Sequence, residues 1–136
     1  MRVALDAGAY KPERAYPEDA GYDLRSMYTQ TVPARGSSVF FTGVHVEIPV
    51  GYAGKICSKS GLNVRHNITA TGLIDSGYTG AITVKLYNHG TQNYEVKEGD
   101  KIAQLVIVPV FRDEVEIVPS IDGGKRGANG FGSTGR

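Results

Sequence analysis

The sequence predicts an all-β fold, a jelly-roll-like β-sandwich or barrel with at most one short helix, and three features carry that prediction. Apolar residues recur with period two, turn residues interrupt them at short intervals, and no apolar stripe of helical period lasts three or four turns. Among 136 residues there are 18 Gly and 6 Pro, a composition suited to many short strands joined by turns. Val3 and Leu5 open the chain as an edge or exchanged strand. Val44, Val46 and Ile48 alternate with His45 and Glu47 until Pro49 and Gly51 end the run. The stretch from Ser60 to about His66 is the best helical candidate, with Ser60 as its candidate N-cap. Leu73 and Ile74 anchor a strand leading into a tight hairpin bracketed by Gly72 and Gly80. Ile82, Val84 and Leu86 alternate with Thr83 and Lys85, and Asn88-His89-Gly90 supplies a turn. Ile102 to Val110 is nearly continuous in apolar residues, as expected of a strand buried on both faces. The alternation continues in Val115, Ile117 and Val118, with Glu114 and Glu116 interleaved.

The organisation that follows is one β domain over residues 1–122 and a glycine-rich arm over residues 123–136. The arm offers Phe131 as its only large apolar side chain, too little for a core, so it should move freely unless something holds it. A disordered tail is the plain reading; the sharper one is an arm that closes over an anion with freed N–H groups, hydroxyls and a guanidinium.

Charge and cysteine content narrow the function. Lys+Arg is 15 against 14 Asp+Glu, a net +1, which gives no support to nucleic-acid or membrane-surface binding. Any phosphate chemistry must then come from locally placed groups. The single Cys57 excludes an intrachain disulfide framework, no Cys/His spacing suggests zinc, and Cys57 reads as a small buried hydrophobe. Met1 to Tyr10 lacks a signal-peptide apolar stretch, and no run is long enough to cross a bilayer, so the expected compartment is a reducing cytoplasm.

Five segments stand out in order: Ala20-Gly21-Tyr22-Asp23-Leu24, Cys57-Ser58-Lys59-Ser60-Gly61-Leu62, Gly72 through Gly80, Gly99-Asp100-Lys101-Ile102-Ala103-Gln104-Leu105, and Arg126 through Arg136. Each alone is weak, since a Gly-x-Asp in a turn is ordinarily just a turn. Gln104 is unexpected in an apolar strand unless something satisfies its amide. Gly99-Asp100 reads most simply as a turn. Together, the five segments resemble the signature motifs of the trimeric dUTPase family, from Ala20 to Arg136.

That resemblance implies a reaction and a site. The expected activity is hydrolysis of dUTP to dUMP and pyrophosphate by water attack on the α-phosphate, which limits uracil in DNA and supplies dUMP for dTMP synthesis. Asp75 would be the general base, although a turn-capping aspartate is the simpler reading without the other motifs. Tyr78 would pack on the deoxyribose and refuse a 2′-hydroxyl by shape. Thr69, Gly72 and Ile74 belong to the hairpin whose main chain reads uracil, with Thr69 standing where the family often has asparagine. Lys59, Ser60 and Gly61 would contact phosphate, Lys59 replacing the usual arginine and losing its bidentate fork. Gln104 would donate to a phosphate near the scissile bond. In the arm, Arg126 would bind the γ-phosphate, Gly132, Ser133 and Thr134 would add contacts, and Phe131 would stack over the uracil. Asp23 would hold Mg²⁺ through water. The resemblance further implies a homotrimer with sites shared between subunits. A regulatory binding protein of phage type, with its own protein partner, is the alternative of another class. A dCTP deaminase is the enzymatic rival, disfavoured because Lys85 stands where deaminases place a glutamate, before Tyr87-Asn88.

Overall fold

The structure is a computed structural model describing residues 1–135. Its strands are β1 (Val3–Leu5), β2 (Gly21–Arg25), β3 (Gln30–Val32), β4 (Ser37–Phe41), β5 (Val44–Val46), β6 (Tyr52–Ser58), β7 (Ile68–Ile74), β8 (Thr83–Asn88), β9 (Tyr94–Val96) and β10 (Lys101–Pro109). One helix, α1 (Ser60–His66), connects β6 to β7. Six strands form the main sheet in the order β2-β10-β6-β7-β8-β4, and the ribbons β1-β5 and β3-β9 stand beside it. Every pairing between these strands is antiparallel. The all-β expectation with one short helix holds.

Alternation decides which residues enter the core. On β8, Val84 and Leu86 are buried while Thr83, Lys85 and Tyr87 face outward, as period two requires. Val44 and Val46 of one ribbon and Val32 and Val96 of the other join Leu24, Phe40 and Leu105 of the main sheet in one core cluster. The ribbons thus cover the inner face of the sheet. Each such side chain taken fully out of water stabilises the fold by about 1.5–3 kcal/mol. Buried polar groups are matched: Asn88 Nδ2 donates to the carbonyls of Val32 (3.1 Å) and Gln92 (2.8 Å), and its Oδ1 accepts from Gly90 N–H.

Four expectations need correction. Lys59, not Ser60, occupies the N-cap position of α1, and no side chain caps it; Ser60 is already helical. The helix ends instead through Asn67 in the left-handed region (φ 56°), with Arg65 and His66 in the last turn, where cations suit the helix dipole. β10 is not buried on both faces: Ala103 and Leu105 lie in the core, while Gln104, Val106 and Val108 on the other face are half-buried. Val115, Ile117 and Val118 form no strand, and Val115 and Ile117 are more than 90% exposed. An alternating pattern becomes a strand only when an unpaired edge accepts its N–H and C=O groups, and no edge of the same chain meets this one. Cys57 is half-buried rather than buried, because it sits on the outer face of β6 opposite Gln104.

Candidate functional site

Strand register sets a row of residues across the outer face of the main sheet. Asp23 on β2 is opposite Gln104 on β10, which is opposite Cys57 on β6, which is opposite Thr71 on β7. Asp23 is only 4% exposed, yet it is matched: Lys59 Nζ lies 2.5 Å from Oδ1 and Lys101 Nζ lies 2.7 Å from Oδ2. Burial pushes the Asp23 carboxyl up, but the hydrogen bonds and charges of Lys101 and Lys59 outweigh it and hold the group below the ordinary carboxylate value. Two ammoniums against one carboxylate leave the cluster one positive charge in excess. Gln104 owes its place to Gly21: a Cβ there would come within 2.9 Å of Gln104 Cβ. The expected oddity of a buried amide dissolves, since Gln104 is half-buried on the outer face.

Ser60 and Gly61 begin α1 at the end of β6, both exposed, with open space around Gly61. Asp100 is a turn residue, its Oδ2 accepting from Lys97 N–H at 2.9 Å. Lys101 is the member of this cluster that sequence reasoning did not single out. The available signal was the turn at Gly99-Asp100, which fixes where β10 begins and so which side Lys101 takes.

The second part of the site is the β7–β8 connection. β8 pairs with β7 only over Ile68–Ala70, whereas β6 pairs with β7 over Thr71–Ile74. From Thr71 to Ile74 the β8-facing edge of β7 therefore has no strand partner, and the segment from Asp75 to Ala81 loops out beyond it. Gly72 and Ile74 lie on that open stretch. Asp75 is exposed, and its carbonyl accepts from Tyr78 N–H at 3.2 Å. The Tyr78 hydroxyl donates to the Ala81 carbonyl at 3.2 Å, folding the ring back over Gly80. A Cβ on Gly80 would stand 2.3 Å from the Tyr78 hydroxyl oxygen, so only glycine admits this ring position. Thr69 lies inside the paired stretch, its Oγ1 2.8 Å from His89 Nε2. Lys85 is exposed beside the Tyr87 ring, 5.2 Å from its centroid.

The third part is the arm. Residues 111–135 are all exposed, and Phe131 is fully so. Arg126 Nε donates to the Asn129 carbonyl at 2.8 Å, and Ser133 Oγ lies 3.4 Å from the same oxygen. Gly132 and Thr134 lie in the turns that follow Phe131.

These three parts do not meet within one chain. Asp75 is four residues beyond Thr71 along β7, about 13 Å, and Asp23 is three strand spacings of about 4.8 Å across the sheet. One water molecule cannot touch both Asp75 and a phosphate held at the Asp23 cluster of the same subunit.

The donor set at Asp23 bears on a metal. An ionised carboxylate offers about four lone-pair sites, and the two lysines use one on each oxygen. What remains suits waters carried by an ion rather than direct ligation. No group of three or more His, Cys, Asp or Glu among the described residues could cage a metal. With two ammoniums beside it, Asp23 alone does not attract a dication; an oxygen-preferring ion that keeps most of its water, as Mg²⁺ does, would fit there only together with phosphate oxygens that offset the lysines.

The all-β body thus presents an open strand edge beside the Asp75 loop and, apart from it on the same sheet, an ammonium cluster suited to an anionic ligand. The family model described as dUTPase matches residues 8–135. The chain belongs to the dUTPase family. It is 38% identical to the deoxyuridine 5′-triphosphate nucleotidohydrolase of Kluyveromyces lactis, over 100% of this chain and 94% of that protein. It is 41% identical to the mitochondrial enzyme of Homo sapiens, over 97% of this chain and 53% of that longer one. Among solved structures, the dUTPase of Staphylococcus bacteriophage 80alpha with dUpNHpp superposes with a TM-score of 0.88 at 33% identity, covering 99% of this chain and 98% of that one. A dUTPase from phage phi11 of S. aureus, described with a structural Mg(II) ion, gives 0.82 at 31% identity, covering 90% of this chain and 98% of that one.

Proposed function

We propose that this chain hydrolyses dUTP to dUMP and pyrophosphate at sites completed between copies of itself, in a homotrimer. The observation that carries the shared site is the separation of Asp75 from the Asp23 cluster across the sheet, together with an arm that touches neither. The residues 110–122, exposed and alternating, have the chemistry of a segment that pairs with a neighbouring subunit.

The roles follow from chemistry and position. The open edge of β7 at Gly72 and Ile74 offers N–H and C=O groups to the uracil, and a base with the wrong pattern would leave buried polar groups unpaired. Tyr78, fixed over Gly80, packs on the deoxyribose and leaves no room for a 2′-hydroxyl. Thr69 supports the same hairpin through His89. The Asp75 carboxylate accepts the proton of the attacking water. Lys59, Ser60, Gly61 and Gln104 hold the triphosphate, and the excess positive charge of the Lys59–Asp23–Lys101 cluster favours it there. Arg126, Gly132, Ser133 and Thr134 close on the terminal phosphate while Phe131 covers the base and excludes water. Asp23 would help to hold Mg²⁺ through water, and the ion would supply positive charge to offset that developing on the leaving pyrophosphate. No helix among the described residues is long and apolar enough to cross a membrane.

Pyrophosphate release from each deoxynucleoside triphosphate and from UTP, with and without Mg²⁺, tests the reaction. Asp75→Asn should lower turnover by orders of magnitude while nucleotide binding survives; turnover near that of the parent protein would defeat the base assignment. The likeness to phage 80alpha dUTPases, described as controlling transfer of virulence genes by a G protein-like mechanism, supports a second reading. In that reading a protein partner recognises one nucleotide state, and pull-down with and without dUpNHpp separates it from hydrolysis alone.

A further inference from the structure

The loop that carries Asp75 and Tyr78 is tied to the rest of the body at its tip through one side chain, His45. This residue lies on β5, where its ring reaches two other segments at once. Nδ1 is 2.8 Å from the Thr79 carbonyl oxygen, and Nε2 is 3.1 Å from Asp6 Oδ1. A carbonyl oxygen and an ionised carboxylate can only accept hydrogen bonds. Both contacts exist together only when both ring nitrogens carry protons, so the observed arrangement belongs to the imidazolium; a neutral ring keeps one bond and surrenders the other. The remaining hydrogen bonds of the loop, among the described residues, are internal ones made by Tyr78 to Asp75 and Ala81. Its far end is fixed at Ile82, whose N–H donates to the Val44 carbonyl at 2.8 Å, immediately beside His45.

We propose that protonated His45 is a latch that positions the nucleotide-binding loop, so that affinity for dUTP falls when the ring loses its proton. The proposal rests on the assignment of Asp75 and Tyr78 to the substrate site. The charged groups around the ring are few. Arg2, Asp6 and Glu47 line the same groove of about 430 Å³, and the loop contributes Thr79 to it. Arg2 and Glu47 pair with each other, and the Met1 α-amino group acts on Glu47, which leaves Asp6 as the carboxylate facing the ring. The Thr79 carbonyl first, then Asp6, raise the histidine above its ordinary value of 6.5. A raised value means that the latch is fully formed below about pH 6.5 and is lost as pH rises through the shifted value. The His45 side chain is 30% exposed, so the effect is moderate, about fivefold in KM.

The test measures KM and kcat for dUTP from about pH 6 to 9 in the parent protein, His45→Gln and Asp6→Asn, with amide hydrogen exchange of residues 77–82 followed without nucleotide. The expected result is a KM that rises with pH in the parent, is flat in His45→Gln, and rises at lower pH in Asp6→Asn, while the kcat profiles stay parallel. Protection of the loop amides, as exchange relative to the intrinsic rate at each pH, should fall over the same pH range in the parent protein and stay constant in His45→Gln. Loop protection that ignores both pH and the His45 substitution would overturn the latch itself. A loop that loosens with pH while KM stays constant would also overturn the proposal, and would trace its failure to the placement of substrate at this loop.

Discussion

Replacing Asp23 by asparagine removes the carboxylate between two ammoniums and leaves their charges facing one another across a buried amide. Breaking a fully buried ion pair by deleting one partner costs about 3–5 kcal/mol. Here the Asp23 side chain is 5% exposed, but its partners Lys59 and Lys101 are 23% and 37% exposed, so water can re-solvate the ammoniums once they are released. Discounting for that screening gives about 2 kcal/mol. For an ordered body of this size the corresponding fall in melting temperature is roughly 8 °C. Thermal unfolding followed by circular dichroism at pH 7 reads it directly. A pH series adds a sign. The Asp23 carboxyl titrates below 3.8 in the folded protein, so its contribution is complete above that pH and disappears as pH falls through the lower, folded value. The parent protein should lose this stability in acid, and Asp23→Asn should have none of it to lose. Equal melting temperatures at pH 7, or identical acid profiles, would refute the claim that the two lysines stabilise a buried charge.

Two further outcomes follow from the geometry. Gly80→Ala puts a Cβ against the Tyr78 ring, which is 47% exposed and free to swing outward, so discrimination between dUTP and UTP should fall about tenfold with little change in melting temperature. Paired kcat/KM values for the two nucleotides measure it. Truncation after Asp122 removes an arm whose residues 123–135 are all exposed, so unfolding of the body should shift by less than about 2 °C while kcat/KM for dUTP drops by at least about a hundredfold.

Legibility from sequence was uneven, and the unevenness has causes. β5 and β8 were visible because each buries one face, which writes a period-two pattern into the chain, whereas β10 showed as a nearly continuous apolar run that overstated its burial. β3 and β9, three residues each, are too short for any periodicity to register, and only their mutual pairing makes them strands. The segment around Val115–Val118 carries the pattern without the structure, since the pattern reports a face to be covered and not what covers it. The motif residues were found by resemblance, and the structure assembles them only in part. Asp23, Lys59 and Gln104 come together; Asp75 and Tyr78 come together elsewhere; the arm meets neither. Lys101 and His45 went unnoticed because nothing local marks a lysine or a histidine as the partner of a residue dozens of positions away.

The sequence by itself determined the class of fold and the family, and singled out the residues proposed for base, phosphate and metal chemistry, because these depend on residue type, alternation and order along the chain. Tertiary structure decided which of them share a location. Strand register placed Asp23 beside Gln104 and between two lysines, opened the edge of β7 from Thr71 to Ile74, and held Asp75 away from the Asp23 cluster. Register is a property of paired strands, set by packing between segments far apart in the chain, and so no reading of the residues in single file could supply it.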